Sequence, residues 1–174
     1  MKKKEIIKSI SSFYLPNRYT YKEKKQWEDD ITKILKEEKL PISLKNSRAE
    51  GYKIVTNEQT IFILIDGEQQ CCEEWGYEAC SEKGIIDSND DFKDFIGAEL
   101  FEVSVVQPES HNSIKIYDKL LEASLYDCTD TFAEFVNFKT SNGLLQFSVY
   151  NCQNGYYGHP IYIKFNDTEI ESHV

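Results

Sequence analysis

Toward the end of the chain, apolar and polar residues alternate with a period of two. Val136, Phe138, Leu145, Phe147 and Val149 form one set; Asn137, Lys139, Gln146 and Ser148 form the other. That period belongs to half-buried strands, whose successive side chains point to opposite faces. Asn142-Gly143 lies between the two runs and is a strong hairpin signal, because a type I′ turn needs φ > 0 at both central residues. Centring the turn there pairs Phe138 with Phe147, Val136 with Val149 and Thr140 with Leu145. On the polar face it pairs Lys139 with Gln146 and Asn137 with Ser148. A Gly/Tyr-rich link, Asn154 to Gly158, leads to a third alternating run, Ile161, Ile163 and Phe165. The expectation is a three-strand meander.

A different period governs the start. Ile6, Ile7, Ile10, Phe13 and Tyr14 share one helical face, and Pro16-Asn17 ends the segment. Thr20-Tyr21-Lys22-Glu23 has the form of a capping box. It opens a helix with the stripe Trp27, Ile31, Ile34, Leu35 and Leu40, stopped by Pro41. Residues 1–48 are therefore expected to be a helical hairpin, its stripe packed on the rest of the chain or on a partner. Tyr52 to Ile65 reads as two strands joined through Asn57-Glu58-Gln59. The second, Ile61 to Ile65, is apolar on both faces and so should be central and covered on each side. After the Asp66-Gly67 turn, Ser88 to Asp91 caps a short helix through Phe92, Phe95 and Ile96, which Gly97 ends. Glu99 to Val106 is a strand with Phe101, Val103 and Val105 on one face. Residues 107–118 are expected to be a loop, Leu120 to Tyr126 a short strand, and the residues from Asn166 a frayed end. The fold class is α+β: a mostly antiparallel sheet of about five to seven strands, an N-terminal helical hairpin and one short internal helix.

Composition changes this picture in two ways. The chain has 174 residues, 40% hydrophobic and 13% aromatic, enough for a real core and too apolar for disorder. Its net charge of −10 is unevenly spread. Residues 1–48 hold 13 Lys and Arg against 7 Asp and Glu, net +6, whereas 49–174 hold 7 against 23, net −16. The division is a basic helical hairpin (1–48) followed by an acidic antiparallel sheet domain (49–174). The acidic part repels nucleic acid and attracts basic surfaces. No run approaches the ~18 apolar residues of a membrane span. The basic start Lys2-Lys3-Lys4 is not followed by an unbroken apolar stretch, so a signal peptide is not expected. Five cysteines, Cys71, Cys72, Cys80, Cys128 and Cys152, are an odd number, and without a signal peptide they point to reduced thiols and a cytoplasmic protein.

Three pieces of sequence stand out together: Ile65–Glu78 (IDGEQQCCEEWGYE), Asp90–Val106, and Phe135–Ile163 with its Asn-Gly-Tyr-Tyr-Gly-His block. In that order they resemble a family of small uncharacterised domains of bacteria and their phages, over about residues 60–166. The resemblance makes residues 1–48 look like an addition. It carries no assigned activity and hence no functional residues. It implies an accessory protein of a phage or mobile element, of the kind that binds and blocks a host protein.

The candidate sites follow from residue chemistry. Glu68, Glu73, Glu74, Trp75, Tyr77 and Glu78 crowd the segment after the central strand, and Tyr156 and Tyr157 lie on the later Gly/Tyr link. Tyr and Trp among acids suit a surface for a basic partner; the bland alternative is that the rings finish the core. Cys71, Cys72, Cys80, Cys152 and His159 could meet as zinc ligands, but no close-spaced Cys pair of structural zinc sites is present. Cys71 or Cys72 with His159 could form a nucleophile pair, yet the neighbouring glutamates would raise the thiol pKa. Asp87 to Asp91 lacks the Gly and the final Glu of a calcium loop. The expected function is a non-enzymatic inhibitor of a basic nucleic-acid-handling host protein, of anti-CRISPR or other counter-defence type, with no cofactor. An immunity protein against a toxic nuclease would use the same physics. The other class of reading is a small metal- or thiol-dependent enzyme or ligand sensor.

Overall fold

The computed structural model describes residues 3–68, 74–80, 90–106, 130–153 and 158–174. Among them nine strands form two antiparallel sheets. The first contains β1 (Ile7–Tyr14), β2 (Ala49–Thr56), β3 (Thr60–Asp66), β8 (Pro160–Phe165) and β9 (Thr168–His173), in the order β1-β2-β3-β8-β9. The second contains β4 (Glu74–Ala79), β5 (Leu100–Val106), β6 (Asp130–Thr140) and β7 (Gly143–Gln153), in the order β4-β7-β6-β5. The long helix α1 (Lys24–Glu37) backs the first sheet, and α2 (Phe92–Phe95) is a single capped turn.

The sequence pattern explains this layering. Along β3, Ile61, Ile63 and Ile65 pack with Phe138, Phe147 and Val149 of the second sheet, while Phe62 and Leu64 face the other way. That outer face meets Trp27, Ile31 and Leu35, the stripe of α1. β3 is thus central and covered on both sides, as its unbroken apolar run requires. Each buried large side chain of the helix contributes about 1.5–3 kcal/mol. Polar contacts fix both ends of α1: the Trp27 indole N–H donates to Pro16 O at 2.8 Å, and Lys164 Nζ donates to the Lys39 carbonyl. The helix ends in a Schellman motif, with Leu40 N–H donating to Leu35 O and Lys39 N–H to Lys36 O around a left-handed Lys39.

Several expectations are corrected. There is no N-terminal helical hairpin, and one sheet of about five to seven strands becomes nine strands in two sheets. Residues 7–14 are an edge strand paired with β2, with an irregularity between Ile7 and Ser9. That bulge keeps Ile7 and Ile10 on the inner core although they are three apart, which imitates helical spacing. Phe13 then turns outward onto Phe62, ring centroids 5.1 Å apart. The capping box does not form either. Thr20 sits in a 3₁₀ turn, its hydroxyl donating to Asn17 O, and Glu23 caps α1 without a side-chain bond.

The β6–β7 hairpin turns on Ser141-Asn142, pairing Thr140 with Gly143, Phe138 with Leu145 and Val136 with Phe147. Neither turn residue has a positive φ; Gly143 does, at +121°. The glycine therefore follows the turn, as it does after a type I turn, instead of forming half of a type I′ turn. The two-residue slip leaves the faces as expected, because the side-chain period is two. β8 does not continue a meander with β7; it pairs with β3 and β9 in the other sheet. The tail is not frayed, since Thr168–His173 is β9 and Val174 is buried. A register shift between Leu100 and Glu102 separates Phe101 from Val103 and Val105 and leaves it exposed. The expected loop 107–118 and strand Leu120 to Tyr126 lie outside the described residues.

Candidate functional site

The two segments expected to carry a site do meet. Gly67, just after β3, lies so close to Trp75 of β4 that a Cβ there would stand 2.0 Å from the indole. The Trp75 ring stacks on His159, centroids 5.0 Å apart. His159 is buried; its Nδ1 donates to Asp66 O at 2.7 Å, and its backbone exchanges two hydrogen bonds with Val174. Asn151 Nδ2 donates to Val174 O at 3.0 Å, and Ser172 Oγ donates to Glu134 Oε2 at 2.5 Å. Glu134 is 1% exposed. These bonds tie β6, β7, β8 and β9 together at one end of the sandwich. Glu134, Asn151 and Ser172 sit in ordinary alternating strands, and nothing in the sequence marks them. The arrangement is a polar latch within the fold.

The expected partner-binding residues divide as follows. Trp75 and Tyr77 are half-buried against the inter-sheet core, and Tyr77 meets Tyr52 edge-on at 5.1 Å. Glu78 is fully buried, opposite Ser148 across the β4–β7 pair. Glu68 is exposed, with its amide donating to Asp66 Oδ1. Glu74 opens β4. Glu73, Tyr156 and Tyr157 lie outside the described residues. Of the possible metal ligands, Cys80 is buried and not in a disulfide, and Cys152 is disulfide-bonded, which departs from the expectation of reduced cysteines. Cys71 and Cys72 lie outside the described residues. Among the described residues no group of three or more His, Cys, Asp or Glu is placed to hold a metal.

A second constellation gathers around α2, β5 and the β6–β7 turn. Asp91 caps α2, accepting from Lys93 N at 3.0 Å, while Asp94 accepts from Asp91 N at 2.7 Å. The Lys93 backbone N–H, and then its side chain, hold the Asp91 carboxyl below its ordinary pKa. The hairpin turn docks on this element: Asn142 Nδ2 donates to Asp94 O at 2.7 Å, and Ser141 N–H to Glu99 O at 2.9 Å. Beside these bonds Ile96, Phe101 and Leu144 stand 43%, 58% and 57% exposed. Glu102, Lys139 and Leu144 form one row across β5, β6 and β7. Asp94 and Glu102 make no ion pair among the described residues, and Asp90 and Asp91 are exposed nearby. Sequence reasoning missed this face because it counted Phe101 with the core-facing residues; the β-bulge reverses that.

These features define a helix-backed antiparallel sandwich with an exposed face that is both acidic and apolar. The chain belongs to a family described as a domain of unknown function, DUF7448, whose model matches residues 18–163. The matched stretch takes in α1, β2 to β7 and most of β8; β1 and β9 lie outside it. No curated protein and no solved structure matches the chain. No helix among the described residues is long and apolar enough to cross a membrane.

Proposed function

We propose that this domain is a non-enzymatic binding protein, an accessory protein of a phage or mobile element that blocks a basic, nucleic-acid-handling host protein. Anti-CRISPR or other counter-defence inhibition is the leading form of that activity; immunity against a toxic nuclease rests on the same chemistry. The observation that carries the reading is the α2–β5–turn face. There, Asp94 and Glu102, which make no ion pair among the described residues, accompany the exposed Ile96, Phe101 and Leu144. Exposed apolar anchors inside an acidic field suit a basic partner: the charges steer the encounter and the anchors slow departure. The net charge of −10 gives the field its sign.

The test is capture of a host partner on immobilised protein, followed by kinetics with variants. Asp94→Lys with Glu102→Lys should slow association at low salt and flatten its salt dependence. Phe101→Ala should mainly raise the dissociation rate. Circular dichroism should stay unchanged for Phe101→Ala and for Glu102→Lys alone, both exposed positions; the single Glu102 reversal separates the charge effect from loss of the Asp94 bond in the α2 cap. If association and its salt dependence are untouched by the charge reversals, this face is not the contact and the reading fails.

A further inference from the structure

The chain has only two arginines, Arg18 and Arg48, and both line the same cavity of about 120 Å³. Thirty residues separate them in sequence. The fold brings them together because the 3₁₀ turn Arg18–Thr20 and the approach to β2 flank the base of α1. In a chain with 30 Asp and Glu against 20 Lys and Arg, neither guanidinium makes an ion pair among the described residues. The frame around them is well fixed. Arg48 N–H donates to Asp66 Oδ1 at 2.8 Å, and its carbonyl accepts from Gly67 N–H at 3.2 Å. Asn17 Oδ1 accepts from Tyr19 N–H at 2.9 Å. Arg18 lies 4.6 Å over the Tyr19 ring and donates to its hydroxyl at 2.9 Å. The backbones are held; Arg18 commits one donor to Tyr19 and keeps its others, and the Arg48 guanidinium makes no ion pair among the described residues.

Arginine is the side chain that meets an oxyanion with two parallel donors, which lysine cannot do. A second, larger groove of about 590 Å³ adjoins the first and shares Arg48, Pro16 and Asn17 with it. Its walls include Tyr14, Leu15, Tyr21 and Ile34, and Tyr14 is 73% exposed. An anion socket therefore opens into an aromatic and aliphatic slot, with Arg48 at the junction. We infer that this double cavity binds a phosphate monoester with an aromatic body, the phosphate between Arg18 and Arg48 and the body against Tyr14 and Tyr21. Glu68 also lines the small cavity and Glu50 the groove. Their charge weakens the site and gives it a second testable residue. The inference does not rest on the acidic-face reading, since no residue is shared between the two surfaces.

Calorimetry and amide NMR with four probes test it: inorganic phosphate, phenyl phosphate, a nucleoside monophosphate and the unphosphorylated nucleoside. The monoesters should bind more tightly than inorganic phosphate, and the nucleoside should not bind. The Trp27 indole N–H signal should shift, because Trp27 lines the small cavity. Which monoester is preferred identifies the body. Arg48→Ala should cost at least about tenfold in affinity with an unchanged melting temperature; Arg48→Lys should recover part of it, and Glu68→Gln should tighten binding. Lys24→Ala with Lys25→Ala is the control for unspecific charge attraction and should change little. Failure of every probe to saturate in the millimolar range overturns the proposal. An equal loss in the lysine control also does so, and so does inorganic phosphate binding as tightly as the monoesters.

Discussion

Gly51 offers the sharpest test of the packing argument. It sits in β2 opposite Leu64 of β3, with Phe13 of β1 on its other side. A Cβ built on it would lie 2.0 Å from the Ile63 carbonyl oxygen, 3.0 Å from the Ile63 carbonyl carbon and 3.1 Å from Leu64 Cα. An ordinary C···O contact is ~3.3 Å, so alanine overlaps by more than an ångström. The atoms it meets are backbone of the central strand, which cannot rotate away as a side chain would. Gly51→Ala must therefore push β2 and β3 apart locally. Loss of two ladder hydrogen bonds costs about 0.5–1.5 kcal/mol each. Overpacking of the neighbouring core adds about 1–3 kcal/mol. The expected destabilisation is then roughly 2–6 kcal/mol, or a drop of about 4–24 °C in Tm for a chain of this length. Urea unfolding followed by circular dichroism measures it, with an unchanged m-value showing that the transition itself is the same. A loss below about 1 kcal/mol would refute the reasoning, because it would mean that β2 and β3 can part without cost at their centre.

Three further outcomes are expected. Lys39→Gly should stabilise by about 0.5–1 kcal/mol in thermal unfolding, because Lys39 holds φ +54° at the Schellman position where glycine is unstrained. Gly143→Val should destabilise by more than about 1 kcal/mol although its Cβ meets nothing within 4 Å, because φ is +121°; Gly143→Asn should cost less. For Asp91, whose folded-state pKa is lowered, the contribution to stability is complete above the unfolded carboxylate value of about 3.9 and is lost as pH falls through the lower folded one. Asp91→Ala should therefore lower the melting temperature at neutral pH and make it less sensitive to acid, which a pH series of melts would show.

Face and burial were legible in the residues themselves. The doubly apolar run Ile61–Ile65 marked a central covered strand, the stripe Trp27, Ile31 and Leu35 marked a helix docked by one side, and Asp91 with Gly97 bracketed α2. Alternation assigned Phe138 and Phe147 to the core even with the hairpin register displaced, since a slip of two preserves the faces. Those properties depend on near neighbours along the chain. Partner choice does not. β8 could have joined β7 by a short link, and the tertiary structure instead sends it across to β3, where Ile161 and Ile163 complete the inter-sheet core. Ile7 and Ile10 looked helical because a bulge and a helical turn both place residues three apart on one side; only pairing with β2 separates the two. The same long-range decision set the surface. Trp75 and Tyr77 went inward because Gly67, His159 and Tyr52 supply the rings and backbone to receive them. Phe101 went outward because the pairing of β5 with β6 shifts register beside it. Sequence periodicity specifies which side of an element is apolar, while the contacts that decide which apolar residue stays uncovered, and which two arginines become neighbours, form only when distant segments meet.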